Sequence, residues 1–295
     1  MSPNPEVRAA AVAGVFYPGE SAELRDTLLQ LMADARPQLE RPPKALIAPH
    51  AGYVYSGPVA ASAYVELAAN GRKIEKVVLL GPSHHVACGI AAPKADTFET
   101  PLGPVAVDVG LRHRAVREAG VELSDIAHAG EHSLEVHLPF LQTVLGEFTL
   151  LPLVIGNASP GRVAAALDAV WGGAETLIVV STDLSHHHPY EVAQENDRKT
   201  VARIERFSDG LRPDQACGCR ALNGLARAAR KRDLIIHTLD VRNSGDTAGP
   251  RDSVVGYASF ALFESLEPAI LKQLEESAEE QARRAGLLAR LQWET

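Results

Sequence analysis

The stretch Ala45-Leu-Ile-Ala-Pro-His-Ala-Gly-Tyr53 decides how the rest of the chain is read. It is a short apolar run, a proline, then a histidine among small residues. A run of that length suits a buried strand, and Pro49, with no N–H to give a central ladder, ends it. His50 then falls at the C-terminal edge of a sheet, on the loop entering the next helix. Ligands of open α/β sheets bind at that edge. Gly52 would let the backbone pass close to such a ligand, and Tyr53 would offer it a hydroxyl.

The pattern recurs. Val77-Val-Leu-Leu-Gly81 is followed by Pro82-Ser-His-His85, and Leu177-Ile-Val-Val-Ser-Thr182 runs into Asp183-Leu-Ser-His-His-His188. Further strands are expected at Gly89–Ala92, Pro104–Asp108, Phe148–Ile155, Leu234–Val241 and Ser253–Phe263. Helices are expected at Ser21–Ala35, Val59–Ala69 with Pro58 in its first turn, Val109–Glu118 and Ser133–Leu145. Pro160–Val170, Val192–Phe207 and Asp214–Ala229 read as helices too. This alternation predicts a single three-layer α/β domain, a central mixed sheet flanked by helices, over residues 1–265. Residues 266–295, charged and rich in alanine and leucine, are expected to form a C-terminal helical extension.

Composition excludes several function classes. A net charge of −8 argues against nucleic acid or an anionic membrane as the general partner. No apolar run approaches the roughly 20 residues of a membrane span. The N-terminus lacks the basic and apolar regions of a signal peptide, so a cytoplasmic location is expected. With 3 cysteines, an odd number, reduced thiols are expected rather than a disulfide framework. The 11 histidines matter because they cluster after strands.

His50, His84 and His186 each follow an apolar run. A fourth segment, Gly130-Glu-His-Ser-Leu-Glu-Val-His137, adds His132 and His137. Their spacing misses the i,i+4 pairing of a zinc-protease helix, and Pro139 is tolerated only if a helix is just beginning there. A fifth segment, Gln215-Ala-Cys-Gly-Cys219, supplies thiols. Two histidines with one anionic ligand and open coordination positions is the arrangement non-haem iron uses. The anion here is Cys217, Asp183 or Glu131. His187 and His188 read as solvated, His113 and His128 as surface residues, and Cys88 as a small buried hydrophobe.

Taken together, Pro49-His-Ala-Gly-Tyr53, Gly81-Pro-Ser-His-His85, Glu131-His-Ser-Leu-Glu-Val-His-Leu-Pro139, Ser181-Thr-Asp-Leu-Ser-His186, Cys217-Gly218 and Asp252-Ser-Val-Val-Gly-Tyr-Ala-Ser259 resemble the Memo family in order and spacing. Its bacterial members are called AmmeMemoRadiSam system protein B. The resemblance runs over roughly residues 8 to 264 and implies a fold like the class III extradiol ring-cleavage dioxygenases. It implies metal ligands at His50, His84 and Cys217, where the dioxygenases have a glutamate in place of the cysteine. His186 matches their acid–base histidine, with Asp183 and His132 as its partners in a catalytic group. Tyr53, His85, Glu131 and His137 are the expected pocket residues. One departure is a second thiol, Cys219, which leaves the cysteine register open between Cys217 and Cys219.

Iron(II) is the expected metal, with copper or zinc as alternatives. Two function classes follow. One is a non-haem iron redox enzyme or dioxygenase acting on a small molecule. The other is a non-catalytic metal- or peptide-binding partner in a modification system with a radical S-adenosylmethionine protein and an AMMECR-type protein. A zinc hydrolase is a third option, since two histidines and a cysteine with water also make a catalytic zinc site.

Overall fold

Apolar residues of the strongest strands point alternately into two cores, one on each face of the sheet. In β2 (Ala45–Ala48), Ala45 and Ile47 enter one core while Leu46 and Ala48 enter the other. β3 (Lys76–Pro82) and β9 (Thr176–Ser181) divide in the same way: Val78, Leu80, Ile178 and Val180 on one side, Val77, Leu79, Leu177 and Val179 on the other. A strand buried on both faces reads as a continuous apolar run, because helices cover both sides. The computed structural model describes residues 6–69 and 73–265.

The flanking layers follow from those cores. On one face lie α1 (Ser21–Asp34), α2 (Tyr53–Ala69) and α6 (Leu138–Leu145), with the short α4 (Asp125–Ala129) and α5 (His132–Glu135). On the other lie α3 (Val109–Ala119), α7 (Pro160–Val170), α8 (Tyr190–Glu205) and α9 (Cys219–Lys231). The remaining strands are β1 (Val7–Arg8), β4 (Ile90–Ala92), β5 (Thr97–Thr100), β6 (Gly103–Val107) and β7 (Glu122–Leu123). After them come β8 (Thr149–Ile155), β10 (His186–His188), β11 (Ile235–Asn243) and β12 (Val254–Phe263). The sheet order is β1-β5-β6-β8-β3-β9-β2-β12-β10, with β11 on β12 and β4 on β8.

The sheet is mixed, as expected. β8, β3, β9 and β2 run parallel, and β12 pairs antiparallel with β2. Ala48 lies opposite Ser181 and Leu80 opposite Val180, so β2, β9 and β3 deliver the loops that follow them to one edge. Cα packing gathers Met1–Phe263 into one unit and Glu264–Thr295 into another. The helix expected within 266–295 lies outside the described residues.

Several expectations move. α2 begins at Tyr53, so Pro58 sits inside the helix and not in its first turn. The carbonyl that its missing N–H leaves without a donor belongs to Val54, which is exposed to water. The helix expected over Ser133–Leu145 breaks into α5 and α6, and Pro139 takes the first turn of α6. The helix expected from Asp214 starts at Cys219. β5 lacks a strand expectation altogether, because its alternation is only four residues long. His128 is buried and not on the surface: its Nε2–H donates to the Ala91 carbonyl at 3.0 Å and its ring meets the Phe98 edge. Cys88 is partly exposed rather than buried. His188 is half-buried and, with His186, pairs with β12, while His187 is exposed as expected.

One buried ion pair ties the N-terminal segment to α5. The Glu135 carboxylate takes Arg8 Nη1, the Ala11 and Val12 amides at 2.8 and 3.0 Å, and the Tyr17 hydroxyl at 2.6 Å. The Arg8 guanidinium also donates to the His128 and Glu131 carbonyls at 3.0 and 2.9 Å. With both side chains shielded from water, removing one partner strands the other charge. Arg8→Ala should therefore destabilise the protein by about 3 kcal/mol in urea unfolding, and a loss under ~1 kcal/mol would mean that the pair is dispensable.

Candidate metal centre

His50 leaves the end of β2, His84 the end of β3, and Cys217 the loop before α9. A nitrogen of each imidazole and the Cys217 sulfur lie within 4.8 Å of one another. Cys217 Sγ is 3.3 Å from His50 Nε2. Cys217 reaches the strand ends because its neighbour is glycine: a Cβ on Gly218 would stand 2.5 Å from the Ser181 carbonyl oxygen and 2.6 Å from Thr182 Cβ. The Asp183 amide donates to Cys217 Sγ at 3.2 Å and holds the sulfur in place.

The proton positions on the rings follow from their partners. Ser181 Oγ lies 2.6 Å from the Ser133 carbonyl oxygen, which only accepts, so the hydroxyl donates there. His50 Nδ1, 2.6 Å from the same Oγ, must then carry the proton, and the Nε2 lone pair faces Cys217. His84 Nδ1 lies 2.8 Å from Glu131 Oε1, and the His84 amide donates to Oε2 at 2.7 Å. An ionised carboxylate accepts, so His84 Nδ1 carries a proton, and Nε2 is the ring atom left to offer a lone pair in the neutral form. His186 Nδ1 donates to the Leu184 carbonyl at 2.8 Å, with the same result. Histidines that bind metal are characteristically held in this way by a carboxylate or carbonyl behind the ring.

Burial and close neighbours shift several groups of the site. Burial, then the neighbouring rings of His84, His132, His137 and His186, holds His50 well below its ordinary range. Burial, then His84, lowers His132 to about 4. Burial works to raise Glu131, but the hydrogen bonds from His84 and the Ser133 amide prevail and hold it at about 2. Burial pushes Asp183 up to about 7, and burial with the Asp183 charge pushes the Cys217 thiol up to about 12. These donors accept a divalent cation without first losing protons from the rings, whereas the thiol would lose its proton to the ion.

The expected residues divide accordingly. Asp183 grips the His50 amide through Oδ1 at 2.8 Å, with Oδ2 3.9 Å from His50 Nε2. His132 stacks on His84 at 4.6 Å and meets His50 edge-on at 5.5 Å. His132, Glu131 and His84 also form a second group of closely spaced donor atoms, although Glu131 is committed behind His84. His85 is an exposed rim residue, its ring 6.3 Å from that of His84. Tyr53 does not offer its hydroxyl to the pocket: buried, it donates to the Val136 carbonyl at 2.7 Å. His137 lies in the core beneath α2, hydrogen-bonded to the Tyr64 hydroxyl at 2.8 Å. Three contributors escape the sequence: Ser181, Ser133 and Phe16, whose ring packs on His132 at 4.6 Å. Ser181 stands in a quoted motif, but a serine at a strand end carries no sign of its partner.

The family model described as Memo-like protein matches residues 8–261. The chain belongs to the Memo family. A MEMO1 family protein of Methanothermobacter thermautotrophicus is 34% identical, the match covering 85% of this chain and 99% of the relative. One from Methanopyrus kandleri is 35% identical over 86% and 98%, and one from Aquifex aeolicus 36% identical over 85% and 97%. A solved structure of an uncharacterized Escherichia coli K12 protein aligns at a TM-score of 0.48 and 13% identity, over 74% of this chain and 98% of that one.

In this Memo protein the two thiols are not equivalent. Cys219, the first residue of α9, is buried in the apolar core, while Cys217 is partly exposed and faces His50.

Burial lowers His137 to about 3 and His128 to about 4, below the ~6.5 of an unfolded chain. Each favours its neutral form in the fold. The stability they lend is complete above about pH 6.5 and drains away as pH falls toward 4 and 3. The urea midpoint should therefore drop across that window, and His137→Phe should flatten the drop; an unchanged slope in the variant would count against this account.

Proposed function

We propose that this Memo protein is a mononuclear metal protein whose ion is held by His50, His84 and Cys217, with iron(II) as the resident metal. One observation carries the reading: three donors from separate loops converge within 4.8 Å, with both imidazoles tied back at Nδ1 so that Nε2 is left to face an ion. Bound there, iron(II) would supply Lewis acidity and one-electron redox chemistry toward a small molecule. Thiolate in the set favours iron, copper or zinc over magnesium or calcium.

The chain's own residues then have defined tasks. Glu131 and Ser181 hold the ligand rings. Asp183 fixes the His50 backbone through its amide. His186, its Nδ1 tied to Leu184, keeps Nε2 free to take a proton from a bound substrate and return it, the task of a general base and acid. Phe16 and His132 wall one side of the site with aromatic surface. An oxidoreductase of the dioxygenase type is the activity proposed.

A second reading has its own observation. Val15, Val54 and Tyr55 are exposed apolar residues on the two segments that flank the Phe16–Gly52 contact. An apolar lip of that kind suits a peptide, and the protein would then serve as a binding partner in a radical S-adenosylmethionine modification system.

Elemental analysis of protein purified without chelator tests the centre. His50→Ala and His84→Ala should each lose stoichiometric metal with the fold retained by circular dichroism, and full occupancy in either would refute the assignment. Cys217→Ser should weaken binding about 10- to 100-fold while Cys219→Ser leaves it unchanged. Oxygen uptake with a catechol panel after anaerobic iron(II) loading separates the two readings: turnover supports the enzyme, and none leaves the binding partner.

A further inference from the structure

We propose that Ser181 and Ser133 are positioning residues in one continuous hydrogen-bonded circuit: Ser181 orients His50, and the Ser133 backbone joins it to the Glu131 carboxylate that orients His84. The inference rests on the metal-centre reading and adds residues behind the ligands. From His50 the circuit runs Nδ1–H to Ser181 Oγ at 2.6 Å, then Ser181 O–H to the Ser133 carbonyl at 2.6 Å. It crosses the Ser133 residue itself, leaves by the Ser133 amide to Glu131 Oε1 at 2.9 Å, and ends where His84 Nδ1–H meets the same oxygen at 2.8 Å.

Each direction is forced by its neighbours. The Ser133 carbonyl has no proton, so Ser181 donates to it and has only lone pairs left for His50. Glu131 takes the Ser133 amide on Oε1 and the His84 amide on Oε2, so its carboxylate accepts from both sides. Reversing either ring would leave a buried donor or acceptor unpaired, since Ser181 and Ser133 are both fully shielded from water. The two Nε2 atoms are therefore exposed as a pair, their rings at 76° and 5.2 Å between centroids.

The backbone makes room for this arrangement. Ser133 Oγ donates to the Pro82 carbonyl at 2.8 Å, tying α5 to the end of β3 just ahead of His84. A Cβ on Gly81 would stand 2.7 Å from Ser133 Oγ and 2.8 Å from Leu134 Cδ2. Gly81 is the residue that lets α5 come this close.

Ring-15N histidine spectra of the metal-free full-length protein, with zinc affinity by competition, test the circuit. The wild type should show Nδ1–H for both His50 and His84. Ser181→Ala should release His50 to the Nε2–H form, leave His84 unchanged, and weaken zinc about 10- to 100-fold; Ser181→Thr, which keeps the hydroxyl, should restore both. An Nε2–H signal from His50 in the wild type overturns the proposal without any variant. So does Ser181→Ala with an unchanged tautomer and unchanged zinc affinity. A wild type that shows both predicted tautomers yet takes up no zinc supports the circuit and counts against the metal centre instead.

Discussion

The parallel register of β3, β9 and β2 is the constraint on which the centre depends. Side chains of parallel neighbours march in step, so strands that end together place their following loops together. Ala48 beside Ser181 and Leu80 beside Val180 put His50, His84 and the Ser181–His186 loop on one edge before any ligand is considered. A slip of one residue would turn each strand's apolar set to the opposite core and misdirect its loop. Both cores resist such a slip, because every residue of β2 and β9 is buried.

Upon that scaffold the protein gathers groups that water would prefer to keep apart. Shielding costs the charged forms most, so burial holds His50 well below its ordinary range, keeps the proton on the Cys217 thiol and raises Asp183 to about 7. Glu131 departs from this trend because His84 and Ser133 give it hydrogen bonds that outweigh its burial. A buried carboxylate behind one ring and a hydroxyl–carbonyl relay behind the other are different solutions to one problem, that of turning a lone pair outward. Arg8 and Glu135 anchor the helix from which both solutions draw.

How much of this was legible in the sequence depends on the range over which each signal acts. Local signals worked: apolar runs located β2, β3, β8 and β9. Motifs collected from distant loops brought His50, His84 and Cys217 into one proposal, and the fold brings them together. What escaped was partnership across the chain. Arg8 and Glu135 are 127 residues apart, and nothing near either one announces the other. Solitary histidines also misled, since His128 and His137 look no different from ligands or surface residues until their burial is known. Tyr53 misled for the same reason: a hydroxyl can be read from sequence, its direction cannot.

The position of β2 bears on how the molecule is made. Its neighbours are β9 and β12, both far downstream, so the strand that carries His50 emerges from a ribosome long before either partner exists. Until residue 176 has been synthesised, Ala45–Ala48 has no edge to pair with, and its antiparallel neighbour arrives only with residues 260–262. Contacts this distant in the chain close late and slowly. A nascent chain therefore carries a wholly unpaired apolar strand until residue 176 has been made, a state prone to aggregation. For the same reason His50, His84 and Cys217 cannot meet until translation has passed Cys217, so no fragment or stalled chain that ends before it can gather the three donor atoms.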